Sequence, residues 1–153
     1  MEYQVGRIGR VIVARGFEGE DVYAAIEEVA RREQIRSGLV VVLGGLRSGR
    51  VVVGPKSPTG KIQPQYTEFD DAREVFGVGT VFCDEQGPRL HLHAGIGRGE
   101  QAIVGCPRGG ANVFCVLEVI LIEIEGVNAA RRLDPQTGLK LLALAGARST
   151  GGR

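Results

Sequence analysis

The chain has little of what marks a specialised class of protein. Its three cysteines, Cys83, Cys106 and Cys115, cannot all pair within one chain and form no disulfide framework. Reduced thiols in a cytoplasmic protein are the expectation. No apolar run approaches the length of a membrane helix. The opening MEYQVGRIGR lacks the apolar stretch of a secretory leader. Charge of one sign is not in excess: 19 basic against 18 acidic side chains leave a net charge of +1. That balance excludes a global pull toward nucleic acid or membrane, so any nucleic-acid contact needs local clustering. Arg47, Arg50, Lys56 and Lys61 are the candidate patch. Aromatics make up only 5% and do not interleave with basic residues as a single-strand stacking platform would. No Cys-x-x-Cys pair, helix-turn-helix or RNA-recognition signature occurs.

What is present is ordinary globular material: 153 residues, 43% hydrophobic and 24% charged. That length suits one domain, expected over residues 1–146, with 147–153 as a disordered tail. The 24 glycines follow no period and point to many tight turns between strands. One helix is expected, over about residues 20–34. Gly19-Glu20-Asp21 opens it with acids at the positive end of the dipole. Val22, Ala25, Ile26, Val29 and Ala30 then form an apolar stripe at helical spacing. Glu27 with Arg31, and Glu28 with Arg32, are i,i+4 pairs for its outer face.

About seven strands account for the rest. Leu39–Leu43 reads as a short buried strand that Gly44-Gly45 bends, and residues 54–66, with three prolines, as an exposed loop. Strands are also expected over residues 74–83, 90–96, 101–104 and 113–124, and a last element over 139–145. The fold class is α+β, a mostly antiparallel sheet with one main helix. A single helix covers little of such a sheet, so self-association is expected.

Candidate chemistry centres on RLHLHAGIG, residues 89–97, which holds both histidines of the chain. Leu90, Leu92, Ala94 and Ile96 point one way, while His91 and His93 share the other face. Two imidazoles at i and i+2 can converge on one cation, or simply line the polar face of a half-buried strand. Cys106, in the turn VGCPRGG, is a candidate third ligand or an activated nucleophile. Glu118, the only charge from Val113 to Ile122, reads as a buried carboxylate in a site or in an ion pair with an arginine. Arg15, Arg108 and Glu118 are the candidate pocket residues, and no catalytic residue is assigned. GPKSPTGKI has the wrong spacing for a P-loop, with Ile62 where Ser or Thr must bind magnesium. GIGRGEQAIV leads into a strand, which rules out a dinucleotide fingerprint.

The order of these features resembles the PPC domain, the plants and prokaryotes conserved domain. ARGFEGEDVYAAIEEVARREQIRSGLVVVLGGL is similar to its opening, through Arg15, Gly19, Glu20, Asp21, Ile35 and Gly38. LHLHAGIG resembles its His-x-His strand, VFCVLEVILIEIEG its long strand with an embedded glutamate, and RRLDPQTGLKLL its C-terminal pattern in prokaryotic members. The resemblance implies a stand-alone prokaryotic member, a homotrimeric interaction or regulatory module with DNA or DNA-associated proteins as partners. The Arg-Gly-Arg-Pro core of the AT-hook that accompanies the domain in plants does not occur. The resemblance also implies, as an alternative, a zinc-binding protein or metal-dependent enzyme. Family members of that kind add a third histidine from a downstream Gly-Gly-His to the His-x-His pair. The matching triplet here is Gly105-Cys106-Pro107, so proline stands at the third ligand position and Cys106 lies one residue away.

Overall fold

The computed structural model describes residues 1–150. Eleven strands and one helix follow in the order β1 (Glu2–Tyr3), β2 (Arg7–Phe17), α1 (Val22–Arg32), β3 (Ser37–Pro55), β4 (Pro64–Phe69), β5 (Arg73–Asp84), β6 (Gly87–Arg98), β7 (Gln101–Pro107), β8 (Asn112–Glu125), β9 (Ala129–Leu133), β10 (Lys140–Leu144) and β11 (Arg148–Ser149). The α+β, mostly antiparallel architecture holds: a seven-stranded sheet runs β2-β8-β3-β5-β6-β7, with β4 beside β3. Two small ribbons, β1–β11 and β9–β10, complete the pairing among the described residues.

Helix α1 is shorter than the periodicity predicts. Asp21 is extended and serves as N-cap, its carboxylate accepting from the Ala24 amide at 2.9 Å. Gln34 takes a positive φ of 58° and ends the helix. Val22, Ile26 and Ala30 bury the expected stripe against the sheet. Of the two i,i+4 pairs expected on the outer face, Glu28 with Arg32 forms and Glu27 with Arg31 does not. Glu28 binds both Arg31 and Arg32, while Glu27 turns inward to accept from the Leu90 amide at 3.0 Å and from Arg89 at 3.2 Å.

Strand β3 continues past Gly44-Gly45, where a bend after a short strand was expected, and a bulge against β8 lies at that place. A Cβ on Gly44 would lie 2.3 Å from the Val116 carbonyl oxygen, and its φ is +142°. Glycine there lets β3 and β8 keep pairing while their register shifts across a bulge. Residues 37–46 of β3 pair with β5 and β8, and its far end pairs with β4 and β7. The region read as a loop thus ends in β4 at Pro64. The chain after 146, expected to be disordered, includes β11, which pairs with β1; residues 151–153 lie outside the described residues.

Because β7 leaves β6 and joins β3, pairing closes through β3, β5, β6 and β7. Val40, Val42, Leu92, Ile96, Leu117 and Leu121 fill the enclosed side with α1. Each fully buried aliphatic of this kind contributes about 1.5–3 kcal/mol. The opposite face is less covered. One register row there runs Val13, Ile120, Val41, Val78 and His93, and the next runs Val11, Ile122, Leu39, Thr80 and His91.

Gly105 permits the crossing of β7 onto β3, since a Cβ there would lie 2.3 Å from the Val52 carbonyl oxygen. Gly105→Ala is expected to destabilise the chain by about 3 kcal/mol, the upper end of overpacking costs. Gly109→Ala, whose Cβ would meet nothing within 4 Å, should stay within about 0.5 kcal/mol of the parent. Urea unfolding followed by circular dichroism checks both.

Candidate metal centre

Strand alternation sets the first two ligands. Leu90, Leu92, Ala94 and Ile96 are buried, and the intervening His91 and His93 emerge on the other face of β6, half-buried and exposed respectively. Their Nε2 atoms lie 3.1 Å apart. The rings meet edge to face, with centroids 4.9 Å apart.

The third ligand arrives through a change of partner. Strand β7 follows β6 only as far as Gly105, opposite Ala94. It then pairs with β3, Cys106 opposite Val52 and Pro107 opposite Val51. Had β7 continued along β6, a residue one position from the third-histidine site would face away. The crossing turns Cys106 instead, and one ligand atom each from His91, His93 and Cys106 lies within 4.8 Å of the others. Cys106 is buried and free of disulfide bonding, as are Cys83 and Cys115 free of it. Tyr23 of α1 braces this turn. Its hydroxyl donates to the Pro107 carbonyl oxygen and sits 3.9 Å from Cys106 Sγ. Burial, with Cys106 next, pushes the Tyr23 phenol well above its ordinary range, so the hydroxyl stays protonated.

The donor set fits a zinc-like cation. Tetrahedral bonds of about 2.0–2.3 Å place donor atoms roughly 3.4 Å apart, close to what the histidine pair already presents. Imidazole and thiolate are the ligand types such an ion prefers. The imidazole at His91 is held neutral. Burial first, then Arg131, His93 and Arg108, lower its pKa from 6.5 to about 4. A neutral ring keeps its lone pair for a metal at physiological pH.

The remaining sequence candidates fall elsewhere. Arg15 and Glu118 face each other across β2 and β8, and Glu118 is exposed where burial was expected. It sits on the face opposite the core, so its lone charge in an apolar run marks that face, not a buried site. Arg15 lies over the Phe17 ring at 5.1 Å. Arg108 is not with them: it lines the cleft beside His91. The basic patch is partly neutralised, Arg47 by Glu18 and Arg50 by Glu68 at 3.6 Å. Sequence reasoning missed Tyr23, Thr80 and Arg131. Arg131 is buried and donates to the Thr80 hydroxyl at 3.0 Å.

Fold and site together define a small antiparallel α+β domain with two imidazoles and a thiol gathered at the open edge of its sheet. The chain belongs to the Plants and Prokaryotes Conserved (PCC) domain family, whose model matches residues 3–125. A metal-containing protein from Archaeoglobus fulgidus superposes with a TM-score of 0.83 at 24% identity, over 94% of this chain and 99% of that one. A plant- and prokaryote-conserved (PPC) protein from Pyrococcus horikoshii gives 0.81 at 22% identity, over 94% and 97%. A "putative DNA-binding protein" from Ralstonia eutropha JMP134 gives 0.72 at 22% identity, over 86% and 90%. At these identities the likeness is one of fold. A search of curated proteins finds no match. Among the described residues no helix is long and apolar enough to cross a membrane.

The lowered pKa of His91 has a sign. Between pH 6.5 and about 4 the unfolded chain binds a proton on this imidazole and the folded chain does not. The stability of metal-free protein should therefore fall as pH drops through that window. His91→Gln should flatten the decline between pH 6.5 and about 5, as read from urea midpoints of chelator-treated protein.

Proposed function

We propose that this chain is a metal-binding, self-assembling module of the PCC domain family, with zinc held by His91, His93 and Cys106. The observation that carries this reading is the approach of the three ligand atoms within 4.8 Å, achieved by a cysteine one residue before Pro107, the position where the family resemblance implies a histidine. Three protein donors leave a fourth position of a tetrahedral ion for water or a ligand. Bound metal would supply Lewis acidity there. The chain's own residues orient the donors: Tyr23 braces the Cys106–Pro107 turn, and strand alternation holds both imidazoles on one face. The fold description of the Archaeoglobus fulgidus protein as metal-containing supports the same reading.

Assembly as a homotrimer in the cytoplasm is part of the proposal. Val13, Phe76 and Val78 are 75%, 62% and 46% exposed on the face away from the core, apolar side chains that a partner copy would cover. DNA-associated partners are the working expectation for such a module. The names of the structural relatives favour this, and the paired state of Arg47 and Arg50 favours partner proteins over direct contact with a duplex.

Metal analysis of protein purified without a histidine tag tests the site. About one zinc per chain is expected, and less than about a tenth of an equivalent after supplementation overturns the reading. Cys106→Ala should weaken zinc binding at least about tenfold. It should also abolish the thiolate charge-transfer absorption of the cobalt-substituted protein, a signature that a merely adjacent cysteine would not produce. Light scattering checks assembly: a mass three times the 16.3 kDa chain is expected, and a clean monomer contradicts it.

A further inference from the structure

We infer that the cleft beside His91 binds a small molecule through its carboxylate or phosphate group, with Arg131 and Arg108 as the receptors of that oxyanion. The cleft, of about 650 Å³, opens between the β9–β10 ribbon, β6 and helix α1, and four cationic side chains line it: Arg89, Arg108, Arg131 and Lys140. Two carboxylates line it as well, but both are committed. Glu27 accepts from Arg89 and the Leu90 amide. Asp84 accepts from Arg89 at 3.2 Å and from Lys140 at 2.8 Å. Burial pushes the Asp84 carboxyl up, yet Lys140, the Gln86 amide and Arg89 outweigh it and hold the group at about 2. Lys140 also contacts Glu85. Arg89 and Lys140 are thereby neutralised within the wall.

Arg131 and Arg108 are not. Arg131 is 9% exposed; among the described residues its side chain donates to the Thr80 hydroxyl, lies 5.8 Å from the Phe82 ring, and has Arg108 and the Cys106 sulfur as electrostatic neighbours. No carboxylate lies within salt-bridge distance of either arginine among those residues. A guanidinium removed from water normally has a charged partner, because a neutral hydroxyl does not offset the lost hydration. It carries five N–H donors in a planar fork suited to a two-oxygen acceptor. The field at this place is also positive: burial and then Arg108 lower the proton affinity of Arg131, and both arginines act on His91 in the same sense. An oxyanion seated here supplies the charge that the wall omits. The buried position of Arg131 selects a small ligand over a nucleic-acid duplex, whose backbone phosphates are met by side chains that reach outward from the surface.

The inference goes beyond the metal reading and does not require it, since both receptors belong to the chain. The test is calorimetric titration of the full chain, treated with chelator, against inorganic phosphate and separately against malonate. One-site, saturable binding of at least one probe is expected. Arg108→Gln and Arg131→Gln should each weaken it at least about tenfold, while Lys56→Gln, in the distant 56–63 connection, leaves it unchanged. Arg108 is exposed, so its variant folds even if Arg131→Gln does not. No binding of either probe at about 10 mM, an affinity too weak to distinguish from non-specific contact, overturns the proposal. Parent-like binding by Arg108→Gln overturns it equally. Displacement of phosphate by a short DNA duplex, lost in the arginine variants, overturns the small-molecule assignment. Zinc content measured on the same variants separates the two readings: zinc without anion binding removes only this inference, and anion binding without zinc removes only the metal site.

Discussion

Strand β7 cannot complete its pairing with one neighbour, and the rest of the molecule follows from how it divides itself. Its first part satisfies the edge of β6, and Cys106 and Pro107 satisfy β3. Backbone donors and acceptors left unpaired in a buried strand are costly, so the crossing closes a ring of strands around the apolar core. The close approach at Gly105 is the steric condition for this. The same crossing leaves the first half of β6 without a strand on that side. His91 and His93 stand in that opening, and Cys106 is carried to them. Core closure and the assembly of the candidate metal centre are one geometric event.

Charge is distributed with similar economy. Most arginines have an acid beside them: Arg7 with Glu125, Arg10 with Glu123, Arg47 with Glu18, Arg73 with Asp71. Exposed pairs of this kind contribute little to stability, typically about 0–1 kcal/mol. Their consequence is selective neutralisation. Arg108 and Arg131 have no acid in salt-bridge range among the described residues, and both act on a histidine whose proton affinity they depress. Burial first, and the two arginines after it, hold the imidazole neutral, and the guanidinium pair gives this place a local excess of positive charge. A cation at the histidines and an anion at the arginines are mutually favourable, since each screens the repulsion that the other feels.

Much of the fold was legible along the chain because it rests on local periodicity. The alternation of Leu90, His91, Leu92 and His93 placed both imidazoles on one face, and the stripe Val22, Ile26, Ala30 placed the helix on the sheet. The misreadings share a cause. Gly44-Gly45 reads as the end of a short strand, but β3 continues past it, and Gly44 is set by a close approach of Val116 from a strand distant in sequence. Glu27 looks like a partner for Arg31 but serves the Leu90 amide on β6. Glu118 looks buried because its neighbours are apolar, yet Leu117 and Val119 face the core while Glu118 shares the opposite, less covered face with Val116 and Ile120.

The amino-acid order determined the α+β class, the helix stripe, and the histidine pair on one strand face, because periods of two and 3.6 act between near neighbours. The same order named Cys106, in the turn after the histidine strand, as a candidate ligand, and its likeness to a known family marked Pro107 as the departure. Tertiary structure alone decided that Cys106 meets the histidines, since that depends on where β7 exchanges β6 for β3. It alone decided that Arg131, one of many arginines in the sequence, is the buried one without an acid. Ligand convergence and charge compensation are properties of distance in space, and pairs such as Thr80 and Arg131 lie too far apart along the chain for any local pattern to record them.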